Sequence, residues 1–233
     1  MTPPRAPGFH GKLPSRGDFV AFGMTGAFLA AWDLWLAQGL AAAQADYGPD
    51  WEFMLDSGPA WRFVLPPGLW TTGAVMGVMM PSRDKVERRF PFAFACEAPP
   101  GALAAALPVL CRTWFEQAEL AARLLVARQA EPLLARRVAN ALGAPSPACC
   151  AVGGREAAEA AAAAITGLLG AAPAGFSYWW CRGRGSVQAS VAAAPGAPSA
   201  EMFVALLDGE WAARGWRDLD AENLGKETAH AAE

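Results

Sequence analysis

Two short runs of this sequence concentrate the residue types that make specific polar contacts. The first, Gly11-Lys12-Leu13-Pro14-Ser15-Arg16-Gly17-Asp18-Phe19, holds two cations, a carboxylate and a hydroxyl within nine residues. The second, Pro81-Ser82-Arg83-Asp84-Lys85-Val86-Glu87-Arg88-Arg89, has six charged residues among its nine. Pro14 removes a backbone donor and biases Leu13 towards extended geometry, so the first run reads as a strand end that turns over, not as a helix. Mixed charge of this kind has two uses: charge-assisted hydrogen bonds to another protein, or internal pairing that fixes the loops. The candidate contact residues are Lys12, Ser15, Arg16, Asp18, Phe19, Ser82, Asp84, Lys85 and Arg88. The alternative, in which Arg16, Asp18, Asp84 and Arg88 only pair with one another, stays open at this level.

Enzymatic chemistry is poorly served. The chain has two histidines, His10 and His230, and His10 alone would have to serve any Ser-His or Cys-His mechanism. No G-x-S-x-G elbow is present. Gly11-Lys12 suggests a phosphate loop, but that motif needs Ser or Thr after the lysine and a glycine five residues before it, where this chain has Leu13 and Ala6. The cysteines Cys96, Cys111, Cys149, Cys150 and Cys181 contain no C-x-x-C pair and read as reduced thiols, so neither a metal site nor a cofactor is expected. A small hydrolase or phosphate-handling enzyme that uses the two charged loops remains the competing reading.

The elements that must position these loops follow from the hydrophobic pattern. Hydrophobic residues make up 54% of the 233 and charged residues 18%, enough for a sizeable core. The net charge of −3 argues against nonspecific nucleic-acid binding. No apolar run is long enough to cross a membrane, and the prolines at positions 3 and 4 do not suit a signal peptide, so a cytoplasmic location is expected.

A strand is expected over 8–13. Thr25 or Gly26 starts a helix whose buried face is Phe28, Trp32, Trp35, Leu36 and Leu40, ending at Tyr47-Gly48-Pro49. Short strands are expected at 51–55, 61–65, 73–80 and 90–96, with the second charged run as a hairpin loop between the last two. Residues 101–143 read as helices, with one from Pro132 to Leu142-Gly143, and an alanine-rich helix is expected over 157–169. A hairpin of 176–181 with 186–193 and a helix capped by Ser199 follow. With strands gathered at both ends, the expectation is an α/β fold: a single-domain three-layer αβα sandwich with a mixed, largely antiparallel central sheet. That domain would span 8–219, with a frayed tail over 220–233.

The first run resembles the opening signature of the TagF family (also called ImpM), accessory proteins of the bacterial type VI secretion system. The resemblance continues through Trp32 and Trp35, Trp61-Arg62-Phe63, Met80-Pro81-Ser82, Asp84-Lys85-Val86, Arg88 and Phe90-Pro91. It resumes at Trp179-Trp180 and at Phe203-Val204-Ala205-Leu206-Leu207 with Gly209 and Trp211. Glu87 departs from the pattern, standing where a glycine is expected, and residues 128–172 are too alanine-rich to compare. The resemblance implies a non-enzymatic cytoplasmic regulator that restrains secretion after translation. It would do so by engaging the forkhead-associated scaffold protein Fha, and through it other components of the apparatus. It brings no catalytic residues.

Overall fold

The computed structural model describes residues 6–145, 163 and 175–216. Seven strands build one sheet: β1 (Gly8–Gly11), β2 (Val20–Phe22), β3 (Trp61–Leu65), β4 (Val75–Met80), β5 (Phe92–Glu97), β6 (Phe176–Cys181) and β7 (Ser190–Pro195). Their spatial order is β2-β1-β5-β4-β3-β6-β7. Every strand pair in that order is antiparallel, and the one parallel contact among the described residues is an isolated bridge between Phe176 and Gly196. The C-terminal hairpin thus joins the N-terminal sheet, as expected.

Near-continuous apolar strands arise because both faces of the sheet are covered. Trp61, Phe63 and Leu65 of β3 point to one layer, while Val64 points to the other. Met76, Val78 and Met80 of β4 share the second face with Phe92, Phe94 and Cys96 of β5. Helices α1 (Gly26–Tyr47), α2 (Trp51–Ser57) and α6 (Ala200–Asp208) close the first face, whereas α3 (Leu107–Leu110), α4 (Arg112–Ala127) and α5 (Pro132–Leu142) close the second. This is the three-layer αβα arrangement. Thr25 caps α1 by accepting from the amide of Phe28, and Ser199 caps α6 by accepting from that of Met202. No helix among the described residues is long and apolar enough to cross a membrane.

Three of the ten tryptophans tie α6 and its approach to other parts of the chain. The indole N–H of Trp35 donates to the carbonyl of Pro198 at 2.8 Å, that of Trp61 to Leu206 at 2.9 Å, and that of Trp216 to Met202 at 2.9 Å. Each joins the N-terminal half or the last turn to α6 or its approach, inside an apolar layer where an unmade hydrogen bond is expensive.

Two expectations need correction, and one strand is new. Residues 51–55 form helix, not strand. Pro49 begins a 3-10 turn over Gly48–Asp50 that runs directly into α2. Trp51 and Leu55 lie against the core, four residues apart, while Phe53, which alternation would have buried beside them, is 71% exposed. The last strand starts at Ser190, not at residue 186, because a second tight turn pairs Arg184 with Val187 and sends Val187 into the core first. Strand β2 was not anticipated; it makes the first charged run the connection of a β1–β2 hairpin. The alanine-rich segment 157–169 and the tail 220–233 lie outside the described residues, apart from residue 163.

Helices α1 and α6 cross at Gly39, where a Cβ would sit 2.3 Å from Cγ of the buried Phe203 ring. Alanine is the better helix former by up to about 1 kcal/mol, yet overpacking of this kind costs about 1–3 kcal/mol. Gly39→Ala is therefore expected to lower the urea-unfolding midpoint followed by tryptophan fluorescence. A midpoint at or above the wild type would show that the two helices can part to admit a methyl group.

Candidate functional site

The β1–β2 connection and the β4–β5 connection lie side by side at one end of the sheet, because β1 pairs with β5. Their approach is close. A Cβ on Gly11, which has φ 130°, would sit 2.0 Å from the carbonyl oxygen of Pro91, so only glycine fits there. Leu13 is fully buried and anchors the first loop from below.

Asp84 joins the loops. Its side chain is wholly covered, and one carboxylate oxygen accepts from the amides of Val86 (2.9 Å) and Arg88 (3.0 Å). The other oxygen takes the Lys12 ammonium at 3.0 Å and Nε of Arg88 at 2.7 Å. Burial on its own would push this carboxyl up. The Lys12 ammonium, with Arg88 and the amides behind it, outweighs burial and holds it well below the usual carboxylate range. Ser82 Oγ donates to the carbonyl of Lys12 at 2.7 Å, and the amide of Lys85 donates to the carbonyl of Arg16 at 2.9 Å. The guanidinium of Arg88 also donates to the carbonyl of Gly17. Ser15 Oγ donates to the carbonyl of Ala130 at 2.9 Å, and Arg16 Nε lies 3.3 Å from Glu131, so the first loop is fastened to the start of α5 as well.

The nine candidate residues therefore divide. Lys12, Ser82 and Asp84 are buried, because the charges of Lys12 and Asp84 satisfy each other. Ser15 is half-buried, and Arg88 lies outside the fold proper but is committed to Asp84 and Gly17. Arg16, Asp18, Phe19 and Lys85 project outwards. Asp18 has no ion pair among the described residues, so it is not part of an internal charge network with Arg16, Asp84 and Arg88. Between the projecting residues lies an open cleft of about 440 Å³, lined by Arg16, Asp18, Phe19, Lys85 and Pro132 among others.

Phe19 is 52% exposed and firmly supported. Its ring stacks on His10 (centroids 5.7 Å apart, 9° between planes), meets Phe90 edge-on at 4.7 Å and lies 5.3 Å from the Lys12 ammonium. His10, whose Nε2 lies 2.6 Å from Asp33, forms a pair that sequence spacing could not reveal across 23 positions. The other ring nitrogen is buried without a hydrogen-bond partner, so no hydroxyl or thiol completes a nucleophilic triad there. Burial pushes the thiols of Cys96 and Cys181 up, away from the thiolate a nucleophile needs. Among the described residues no cluster of His, Cys, Asp or Glu could hold a metal ion.

The sequence reading also missed three charge clusters. Arg62 of β3 reaches Glu119 of α4 at 2.9 Å inside the second layer. Arg89 meets Glu52 and Asp56, which α2 places one turn apart on the same face. Arg214 holds Asp46, Asp208 and Glu201 together.

Two predictions follow from the loop geometry. Asp84→Asn leaves a buried ammonium uncompensated and should cost about 3 kcal/mol at neutral pH, the low end for a broken buried pair because water lies just beyond Arg88. A depressed folded-state value means that the carboxylate's contribution is full above its unfolded value of about 4 and fades as pH falls below it. The gap between wild type and variant in denaturant titrations should accordingly narrow on acidification; a gap constant from neutral pH to about pH 2.5 would rule out the ionised carboxylate as its source. Glu87 has φ 67°, a left-handed conformation that costs a non-glycine residue free energy, and its exposed pair with Arg83 offsets little of that. Glu87→Gly should be neutral to stabilising, by up to about 1 kcal/mol, in the same titrations, whereas Glu87→Val should destabilise.

Comparison with known proteins agrees with this architecture. Residues 8–141 match the family model described as the TagF N-terminal domain, type VI secretion system-associated. The crystal structure of PA0076 from Pseudomonas aeruginosa PAO1, at 2.05 Å resolution, is similar with a TM-score of 0.74 and 35% sequence identity, over 88% of this chain and 94% of that one. No match was found among curated protein sequences. Glu87, where the resemblance leads one to expect a glycine, has a backbone conformation that favours glycine. With more than half its length inside the family model, and a solved relative sharing both fold and sequence, the chain belongs to the TagF family of type VI secretion system-associated proteins.

Proposed function

We infer that this protein is a cytoplasmic negative regulator of the type VI secretion apparatus, acting after translation by contact with the scaffold protein Fha and without catalysis. One observation carries the reading: the two loops make a single prearranged surface, with Lys12, Ser82, Asp84 and Arg88 as its framework and Arg16, Asp18, Phe19 and Lys85 projecting from it. A surface whose framework is internally satisfied binds without first ordering its own loops, which removes a large cost of association. Family membership supplies the secretion system; the regulatory role and the choice of Fha come from the resemblance.

The cleft between the loops favours a second reading, a phosphate-handling enzyme, because a small ligand would need such a space. Against it stands His10, whose Nε2 is taken by Asp33 and whose other ring nitrogen meets no hydroxyl or thiol among the described residues.

The deciding experiment is calorimetric titration of the purified protein with Fha from its own organism, beside the double variant Arg16→Ala/Lys85→Ala, with every thermal melt recorded. The wild type should bind, and the variant should lose about tenfold or more in affinity while its melting temperature holds, as expected of exposed side chains. No binding by the wild type would remove Fha as the partner. A rise in melting temperature with inorganic phosphate alone would favour the enzyme reading.

A further inference from the structure

The two loops are locally basic on an acidic protein. Residues 12–19 and 82–89 contain six cations (Lys12, Arg16, Arg83, Lys85, Arg88 and Arg89) against three carboxylates, while the whole chain carries −3. Lys12 and Arg88 are spent on Asp84, and Arg89 on Glu52 and Asp56. The exposed cations at the cleft are Arg16, with only an exposed partner at Glu131, and Lys85, whose side chain has no ion pair among the described residues. Beside them stands Phe19, a half-exposed ring fixed from three sides by His10, Phe90 and Lys12. A rigid aromatic ring costs little entropy to bury further, and such rings are common binding anchors.

We propose that this cleft reads an acidic segment of the partner protein, seating an apolar side chain on Phe19 with carboxylates between Arg16 and Lys85. The proposal rests on the reading of the loops as the protein contact, and it names the chemistry of what they contact. Asp18 then acts as a selector. It faces the same cleft and weakens anionic partners that do not also satisfy the ring. Electrostatic attraction of this kind is screened at distances beyond about 10 Å at 0.1 M salt, so affinity should fall with ionic strength.

The test uses the full chain with Fha as the probe, in calorimetry at low and at high salt. Phe19→Ala and Lys85→Glu should each weaken binding by about tenfold or more, and Asp18→Asn should tighten it, with raised salt weakening the wild type but affecting Lys85→Glu much less. The exposed Lys85 has no side-chain ion pair among the described residues, so its variant stays informative if Phe19→Ala loses stability. Wild-type binding that is indifferent to Phe19→Ala and Lys85→Glu would overturn this inference while leaving the regulator reading intact; no binding by the wild type would overturn that reading instead. Loss of binding in Asp18→Asn would mean that the partner brings a cation, and would also overturn the acidic-segment assignment. Sedimentation of the same variants covers the remaining occupant: self-association of the wild type that Phe19→Ala and Lys85→Glu abolish would assign the cleft to a second copy of this chain and sink the proposal.

Discussion

A single covered carboxylate decides the shape of one end of this molecule. Asp84 accepts four hydrogen bonds, two from backbone amides of its own loop and one each from Lys12 and Arg88. Without them a carboxylate removed from water would be strongly unfavourable, and with them it converts two mobile connections into one body. The consequence spreads outwards. Lys12 can leave solvent only because Asp84 is there, and from that position its ammonium lies near the Phe19 ring. Arg88, held by the same carboxylate, reaches back to the carbonyl of Gly17, so the first loop is closed from both sides.

The sheet beneath imposes the complementary constraint. The hairpin connections can touch only because β1 and β5 are neighbours, and β1 can approach β5 so closely only because position 11 has no side chain. Both faces of the sheet are apolar, which lets the central strands exclude water from nearly all their ladder bonds. One exception is informative. Arg62 enters the second layer from β3, in register with Trp180, and is met there by Glu119. A paired charge at this depth adds little net stability over apolar packing. It does discriminate among ways of laying α4 on the sheet, since any other placement strands one of the two ions.

Much of the fold was legible in the sequence, and the reason is periodicity. The long helix, the strands at 61–65 and 75–80 and the start at Pro132 each carry a repeat or punctuation that one physical environment explains. The stretch 51–55 misled because Trp51, Phe53 and Leu55 alternate as in a strand, and nothing in composition says that Phe53 will face water. What favours the helix is tertiary: Glu52 and Asp56, four apart, both face Arg89 from β5's approach. Two carboxylates at that spacing repel each other on an isolated helix, and only Arg89, distant in sequence, makes the arrangement favourable. The short β2 was hidden for a different reason, since three residues are too few to show a period.

The candidate site was legible as a set of residues and illegible as a division of labour. Sequence shows that Lys12, Arg16, Asp18, Asp84, Lys85 and Arg88 are charged, but whether a charge points inward depends on a partner supplied from another strand pair. Lys12 and Asp84 are 72 positions apart, and only the β1–β5 pairing brings them within 3.0 Å. Glu87 is the exception: the resemblance leads one to expect glycine there, and its backbone conformation explains why. A tight turn between Asp84 and Arg88 must reverse the chain while both its flanking amides face one carboxylate, and the residue before Arg88 takes a positive φ to do so. Glycine adopts that geometry freely; glutamate adopts it because Asp84 holds the turn. The same carboxylate that joins the two loops therefore also sustains the strained residue within one of them, and the rigidity of the projecting surface is bought from that one buried charge.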